Sequence, residues 1–144
     1  MPSEFVKEVA DVFAKDGPLS KVTANYTPRP SQIEFATSVA EALEKGKTLV
    51  AEAGTGTGKT FAYLVPALLK DQKVLISTAG KTLQDQLFTK DIPALLKALG
   101  MGCRVALLKG RSNYICKQRL EHALQEDSYV AKSREEVVHL HRIK

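Results

Sequence analysis

A lysine and a threonine that close a glycine-rich run are the residues of this chain best placed to do chemistry. The run is Ala53-Gly54-Thr55-Gly56-Thr57-Gly58-Lys59-Thr60. Glycines let a backbone curl tightly enough to aim several N–H groups inward at one anion. A lysine at the end of such a loop reaches the β- and γ-phosphates of a nucleotide as a mobile point charge, and the next hydroxyl suits Mg²⁺. The spacing matches the strand–loop–helix phosphate signature, with Ala53 in place of the usual first glycine. Alanine fits there provided that residue keeps a negative φ.

Such a loop works only if a strand delivers it and a helix leaves it. "KTLVAEA" (residues 47–53) reads as that strand, and "KTFAYLVPALLK" (residues 59–70) as the helix, whose N-terminus adds partial positive charge. The helix is apolar on nearly every side, which predicts burial against a sheet, and Pro66 removes one of its hydrogen bonds. "KVLISTA" (73–79) and "CRVALLKG" (103–110) read as further strands, continuous and apolar as strands covered on both faces should be. Upstream, Phe5, Val6, Val9 and Phe13 recur at helical spacing. A second helix has Ile33, Ala36, Val39, Ala40 and Leu43 on its apolar face, with Ser31 and Glu34 as a capping box and Gly46 as its stop. "KTLQDQLFTKDI" and "PALLKALG" read as helical segments, the latter closed by Gly100, and "NYICKQRLEHAL" and "SREEVVHLHRIK" as polar-faced helices. Strands alternating with helices define an α/β class with a mainly parallel sheet.

Three further groups of residues narrow the chemistry. Arg29 and Gln32, in "YTPRPSQ", lie about twenty residues before the loop, and a glutamine amide can pair with the N6/N7 edge of adenine. Solvation at a helix start is the plain alternative for Gln32. Ser77, Thr78, Thr82 and Gln84 follow the second strand, where hydroxyls and an amide suit a phosphodiester backbone or, equally, helix capping. "LLKGRSNYICKQRL" combines Lys109, Arg111 and Lys117 with Asn113 and with Tyr114, a ring able to stack on a base. A basic loop around a buried thiol is its alternative.

In this order, "DGPLSKV", "YTPRPSQ", "EAGTGTGKT", "STAGKTLQDQL" and "LLKGRSNYIC" resemble the N-terminal part of superfamily 2 DNA helicases of the iron–sulfur group, the DinG/YoaA branch related to XPD. The resemblance runs from about Asp16 to Cys116. It implies a P-loop NTPase (RecA-like) sheet flanked by helices, and ATP-driven movement on single-stranded DNA with unwinding 5′ to 3′. It also implies site roles. Arg29, Gln32 and residues 53–60 would bind ATP, with Lys59 and Thr60 catalytic and Thr60 on Mg²⁺. Thr78, Thr82, Gln84, Lys109 and Arg111 would lie along the DNA. Cys116 is similar to the first of four cysteines that ligate a [4Fe–4S] cluster. The division that follows is 1–30 for an N-terminal helix and adenine-motif loop, 31–115 for a partial ATP-binding domain, and 116–144 for the start of a cluster domain. A DNA-repair or replication protein is the implied class of partner.

The 144 residues contain no Asp-Glu-x-His, and only two cysteines, Cys103 and Cys116, so this chain alone is not expected to assemble a cluster or to unwind DNA. Cys103 opens an expected strand and reads as a small core residue. Glu135, Glu136, His139 and His141 read as a solvated helix face. The chain is read as an incomplete first motor domain that binds ATP. A non-catalytic nucleotide or single-strand DNA binding module is the rival, and a small-molecule P-loop kinase a distant third. The composition is globular, with 44% hydrophobic and 26% charged residues, and the net charge of +5 permits a polyanion partner. No apolar run approaches the roughly 18–20 residues of a membrane span, and the acidic "MPSEFVKEVADVF" lacks a signal core, so a cytoplasmic protein is expected.

Overall fold

A computed structural model describes residues 1–125 together with Val138 and Arg142. Two compact units divide the chain, Met1–Leu107 and Leu108–Lys144.

The first unit is built by helices whose apolar faces meet. Helix α1 (Glu4–Val12) starts where Ser3 accepts the Val6 N–H at 3.2 Å, and it buries Val6, Val9 and Val12. Helix α2 (Pro30–Lys45) has Pro30 in its first turn, where the missing N–H is harmless. Its N-cap is Arg29, without a side-chain cap. The expected Ser31–Glu34 capping box is therefore not formed, because Pro30 starts the helix one residue before Ser31. Gly46 ends α2 at φ 58° as expected.

Gln32, Ala36 and Ala40 are spaced four apart and form the buried stripe of α2. Alanine side chains keep the stripe thin, which lets α2 pack closely on α3 (Lys59–Leu69). Helix α3 contributes the buried Ala62, Leu64, Val65 and Pro66. The core is completed by Phe13, Leu19, Leu87, Ile92 and Leu95.

The segment 81–99 is one interrupted helix. It comprises α4 (Lys81–Gln86), a π-helical turn (Leu87–Asp91) and α5 (Ile92–Leu99), which Gly100 stops at φ 65°. Pro93 accounts for the wide turn, since it offers no N–H to the Thr89 carbonyl and its ring crowds that carbonyl. The Thr89 hydroxyl donates to the Asp85 carbonyl at 2.7 Å within the same turn.

Among the described residues no segment is paired into a β-ladder, so the expected parallel sheet is not formed here. Residues 47–53, 73–79 and 103–110 run without regular structure instead. Val50 is 94% exposed, Leu75 95% and Leu108 81%. A parallel strand is stable only with hydrogen-bonded neighbours and cover on both faces. These apolar segments have neither, and α3 buries its inner face on α2 and α1 rather than on a sheet. Cys103, expected as a core residue, is exposed for the same reason.

The second unit opens with a 3₁₀ turn (Arg111–Asn113) and continues into helix α6 (Lys117–Gln125). Helix α6 starts four residues later than "NYICKQRLEHAL" suggests. The helix expected over "SREEVVHLHRIK", with Glu135, Glu136, His139 and His141, lies outside the described residues apart from Val138 and Arg142.

Candidate nucleotide-binding site

The glycine loop sits at the N-terminus of α3, with Gly58 as N-cap in the left-handed region at φ 80°. Gly56 is also left-handed, at φ 76°. Ala53 is not left-handed, because Asn25 and Asp71 are the non-glycine residues with positive φ among those described. Alanine is thus compatible with the loop, as its chemistry requires. The Thr57 hydroxyl donates to the Gly54 carbonyl at 2.9 Å and pins the curl.

The Lys59 ammonium folds back over the loop and donates to the carbonyls of Ala53 at 2.5 Å and Gly54 at 2.6 Å. It is therefore held over the loop, where an incoming phosphate would replace these neutral acceptors with charged ones. Thr60, half-buried, follows on the first turn of α3. Burial raises the Tyr63 phenol one turn on above its ordinary value, and the Thr60 side chain opposes that.

Two residues from the upstream motif dock on this loop. The Arg29 guanidinium donates to the Gly56 carbonyl. The Gln32 amide donates to the Gly58 carbonyl at 2.9 Å and is 8% exposed. The alanine stripe of α2 explains how Gln32 reaches that point, since it stands at the loop end of the same face. The segment between is anchored too, because the Tyr26 hydroxyl donates to the Phe13 carbonyl at 2.9 Å. Burial raises the Tyr26 phenol above its ordinary value, and nearby Arg29 opposes that. The N-termini of α2 and α3 thus converge on one loop, and both dipoles favour an anion there. Backbone N–H groups, a lysine and a threonine hydroxyl are the donor set that Mg²⁺–nucleotide binding needs, so these residues fit that ligand.

The remaining expected residues are distributed differently. The Thr78 hydroxyl donates to the Gly80 carbonyl at 3.2 Å, inside the turn before α4. Thr82 is exposed on the first turn of α4 and Gln84 is half-buried there. Lys109 and Arg111 belong to the second unit. In that unit the Lys109 N–H donates to the Tyr114 hydroxyl at 2.8 Å, and the Asn113 amide to the Gly110 carbonyl at 3.0 Å. These bonds close a small loop and leave the Tyr114 ring about half exposed. Cys103 and Cys116 are exposed free thiols, and no group of three or more His, Cys, Asp or Glu side chains is arranged for a metal among the described residues. A four-thiolate cluster does not fit a chain with two cysteines. Also among the described residues, no helix is long and apolar enough to cross a membrane.

Tyr63, Gln86 and Asp91 escaped the sequence reading. Asp91, 6% exposed, accepts from the Gln86 amide at 2.9 Å. The one available signal was a charged residue inside the apolar stretch "LFTKDIPALL".

A loop of this geometry opening an apolar helix defines the P-loop class of nucleotide-binding proteins. The family model for DEAD/DEAH box helicases matches residues 33–138, and that family has the P-loop NTPase fold. The chain belongs to the DEAD/DEAH box helicase family. It is 56% identical over 113 residues to the ATP-dependent DNA helicase YoaA of Escherichia coli K12, covering 78% of this chain and 18% of that protein. It is 47% identical over 123 residues to YoaA of Haemophilus influenzae, covering 85% and 19%. It is 45% identical over 106 residues to the ATP-dependent helicase DinG of Mycobacterium tuberculosis H37Rv, covering 68% and 16%. The chain thus spans less than a fifth of the length of these relatives. Family membership implies use of ATP and Mg²⁺.

Proposed function

We propose that this chain is the nucleotide-binding part of an ATP-dependent DNA helicase, and that by itself it binds Mg²⁺–ATP without turning it over. The observation that carries this is the docking of Arg29 and Gln32 on the glycine loop beside Lys59 and Thr60. Lys59 holds the β- and γ-phosphates, Thr60 offers its oxygen to Mg²⁺, and residues 53–58 supply backbone donors. An amide has two N–H groups and one carbonyl, so the single bond from Gln32 to Gly58 leaves it capacity to read adenine. Mg²⁺ lowers the charge on the phosphates when bound. Hydrolysis needs a positioned acid as well, and the Asp-Glu-x-His pattern is absent from this sequence.

Single-stranded DNA is the proposed ligand, with Thr78, Thr82 and Gln84 as candidate contacts in the first unit and Lys109 and Arg111 as candidate contacts in the second. The names of the YoaA and DinG relatives support it, as does the exposed Arg111 of the second unit. The division at residues 30 and 115, a cytoplasmic location and a replication or repair partner belong to the same proposal. So does 5′ to 3′ polarity. Cys116 as one cluster ligand needs three further thiolates, and the sequence has one other cysteine, Cys103.

Calorimetry with ATP and ATPγS in Mg²⁺, on the chain and on Lys59→Ala, tests the reading, followed by a DNA-stimulated hydrolysis assay. Binding in the wild type, loss of at least tenfold in affinity in Lys59→Ala, and no hydrolysis are expected. Equal affinity in both proteins would remove the loop from the site. DNA-stimulated hydrolysis would mean that another acid in the chain serves Mg²⁺.

A further inference from the structure

A tyrosine of the second unit is held firmly and yet left in solvent. Among the described residues Tyr114 is the most exposed aromatic, at 53% against 36% for Phe88. An exposed tyrosine ordinarily gives its hydroxyl to water. Here the hydroxyl is used within the chain, accepting the Lys109 N–H at 2.8 Å. The backbone end of the residue is fixed as well. The Tyr114 N–H donates to the Arg111 carbonyl at 3.2 Å. The Gly110 carbonyl accepts from the Asn113 N–H at 2.9 Å and from the Asn113 side-chain amide at 3.0 Å. Tyr114 is thus tied at both ends to one closed turn, and its ring is oriented before any ligand arrives. A ring set in this way loses little rotamer freedom on binding.

The charge around this turn decides what the ring would meet. From Leu108 to Leu120 the sequence has Lys109, Arg111, Lys117 and Arg119 and no carboxylate. Arg111, Lys117 and Arg119 are exposed and join no ion pair among the described residues. An apolar protein surface would suit Tyr114 and the neighbouring Ile115, 58% exposed, but it would strip water from these cations without pairing them. A nucleic-acid single strand satisfies both, because its phosphates take the cations and its bases stack on the ring. A duplex offers the phosphates alone, since its bases are already stacked on one another.

We propose that Tyr114, held by the Lys109 N–H, is a base-stacking platform for single-stranded DNA, and that Arg111 takes a flanking phosphate. The proposal rests on the reading of this chain as DNA-binding, and it names the ring through which bases, and not only phosphates, are held. Stacking accepts every base, so the platform grips a strand without reading its sequence.

The test is fluorescence anisotropy of a labelled oligothymidine strand titrated with the 144-residue chain, beside a strand of equal length with abasic sites in place of its bases. The wild type should bind the abasic strand at least about fivefold more weakly than oligothymidine. Tyr114→Ala should lose at least about fivefold on oligothymidine and stay within about twofold of the wild type on the abasic strand. Its salt dependence should match the wild type's, because no phosphate contact is removed. Arg111→Gln should weaken both strands alike and lower the slope of log Kd against log salt by about 0.7. Tyr114→Phe keeps the ring without the tether, so it should lose less than Tyr114→Ala and still prefer the strand with bases. An equal loss on both strands in Tyr114→Ala, or Tyr114→Phe as weak as Tyr114→Ala, would mean that the residue only closes the turn. Either result overturns the proposal, as does an unchanged affinity in Tyr114→Ala, and a slope unmoved in Arg111→Gln overturns the part given to that residue. Should Tyr114→Ala unfold the turn, Tyr114→Leu repeats the comparison with the apolar bulk kept and the π-face gone. A wild type that binds neither strand overturns the DNA reading and the platform together, whereas equal binding of both strands overturns the platform alone.

Discussion

Gly58→Ala probes the contact that joins the upstream motif to the phosphate loop. A Cβ built on Gly58 lies 2.1 Å from Gln32 Nε2 and 2.8 Å from its Cδ. Neither distance is tolerable, so the Gln32 side chain must leave, breaking its 2.9 Å bond to the Gly58 carbonyl. The left-handed φ of 80° adds about 1–2 kcal/mol for a residue with a Cβ. The buried hydrogen bond, lost with its amide in place, adds about 1–3 kcal/mol. The expected loss is therefore roughly 2–5 kcal/mol. Gly56→Ala is the matched control. Its φ is 76°, yet nothing lies within 4 Å of the added Cβ, so only the backbone contribution of about 1–2 kcal/mol remains. For a chain of this length about 1 kcal/mol moves the thermal midpoint by roughly 3–4 °C. Thermal melts followed by circular dichroism should place Gly58→Ala at least about 3 °C below Gly56→Ala. The double variant Gly58→Ala/Gln32→Ala should lose less than the sum of its singles, because the clash is gone. Equal midpoints for the two alanine variants, or strict additivity in the double, would refute the docking of Gln32 on the loop.

Other outcomes follow from burial and charge. Leu75→Lys should change stability by less than about 0.5 kcal/mol, because Leu75 is 95% exposed, whereas Leu95→Ala, at a fully buried site, should cost about 2–5 kcal/mol. Urea titrations compare the two, and a large loss in Leu75→Lys would mean that residues 73–79 are paired and covered. The folded chain holds the phenol protons of Tyr26 and Tyr63 more tightly than the unfolded chain does. Their contribution is complete below the ordinary tyrosine value near pH 10 and is lost as pH rises above it through the raised folded values. Melts between about pH 9 and 11 should show a falling midpoint, with a shallower fall in Tyr26→Phe/Tyr63→Phe; an equal slope in that variant would assign the fall to other groups.

Features set by neighbours in sequence were legible. The apolar spacing of Val6 and Val9, the stops at Gly46 and Gly100, and the start of α3 at Gly58 all stand where local pattern puts them. The Ser31 cap was misread for a local reason as well: both Pro30 and Ser31 favour a helix start, and Pro30 comes first. The interruption of helix 81–99 carried a signal in Pro93, but a wide turn and a break read alike from one proline. Three apolar segments had the composition of buried strands without the pairing. Composition describes what a segment can cover, and a ladder also needs a neighbour.

The sequence by itself determined the chemistry of the loop. Glycine freedom, a lysine charge and a threonine hydroxyl act over eight consecutive residues, Ala53 to Thr60, and need no distant partner to be recognised. Only the tertiary structure decided which side chains meet that loop. Arg29 and Gln32 reach Gly56 and Gly58 because an alanine stripe brings α2 against α3, and Gln86 meets Asp91 because a π-turn brings residues five apart together. Those contacts depend on how helices distant in sequence pack, and a spacing of five residues is invisible to a pattern that repeats every 3.6.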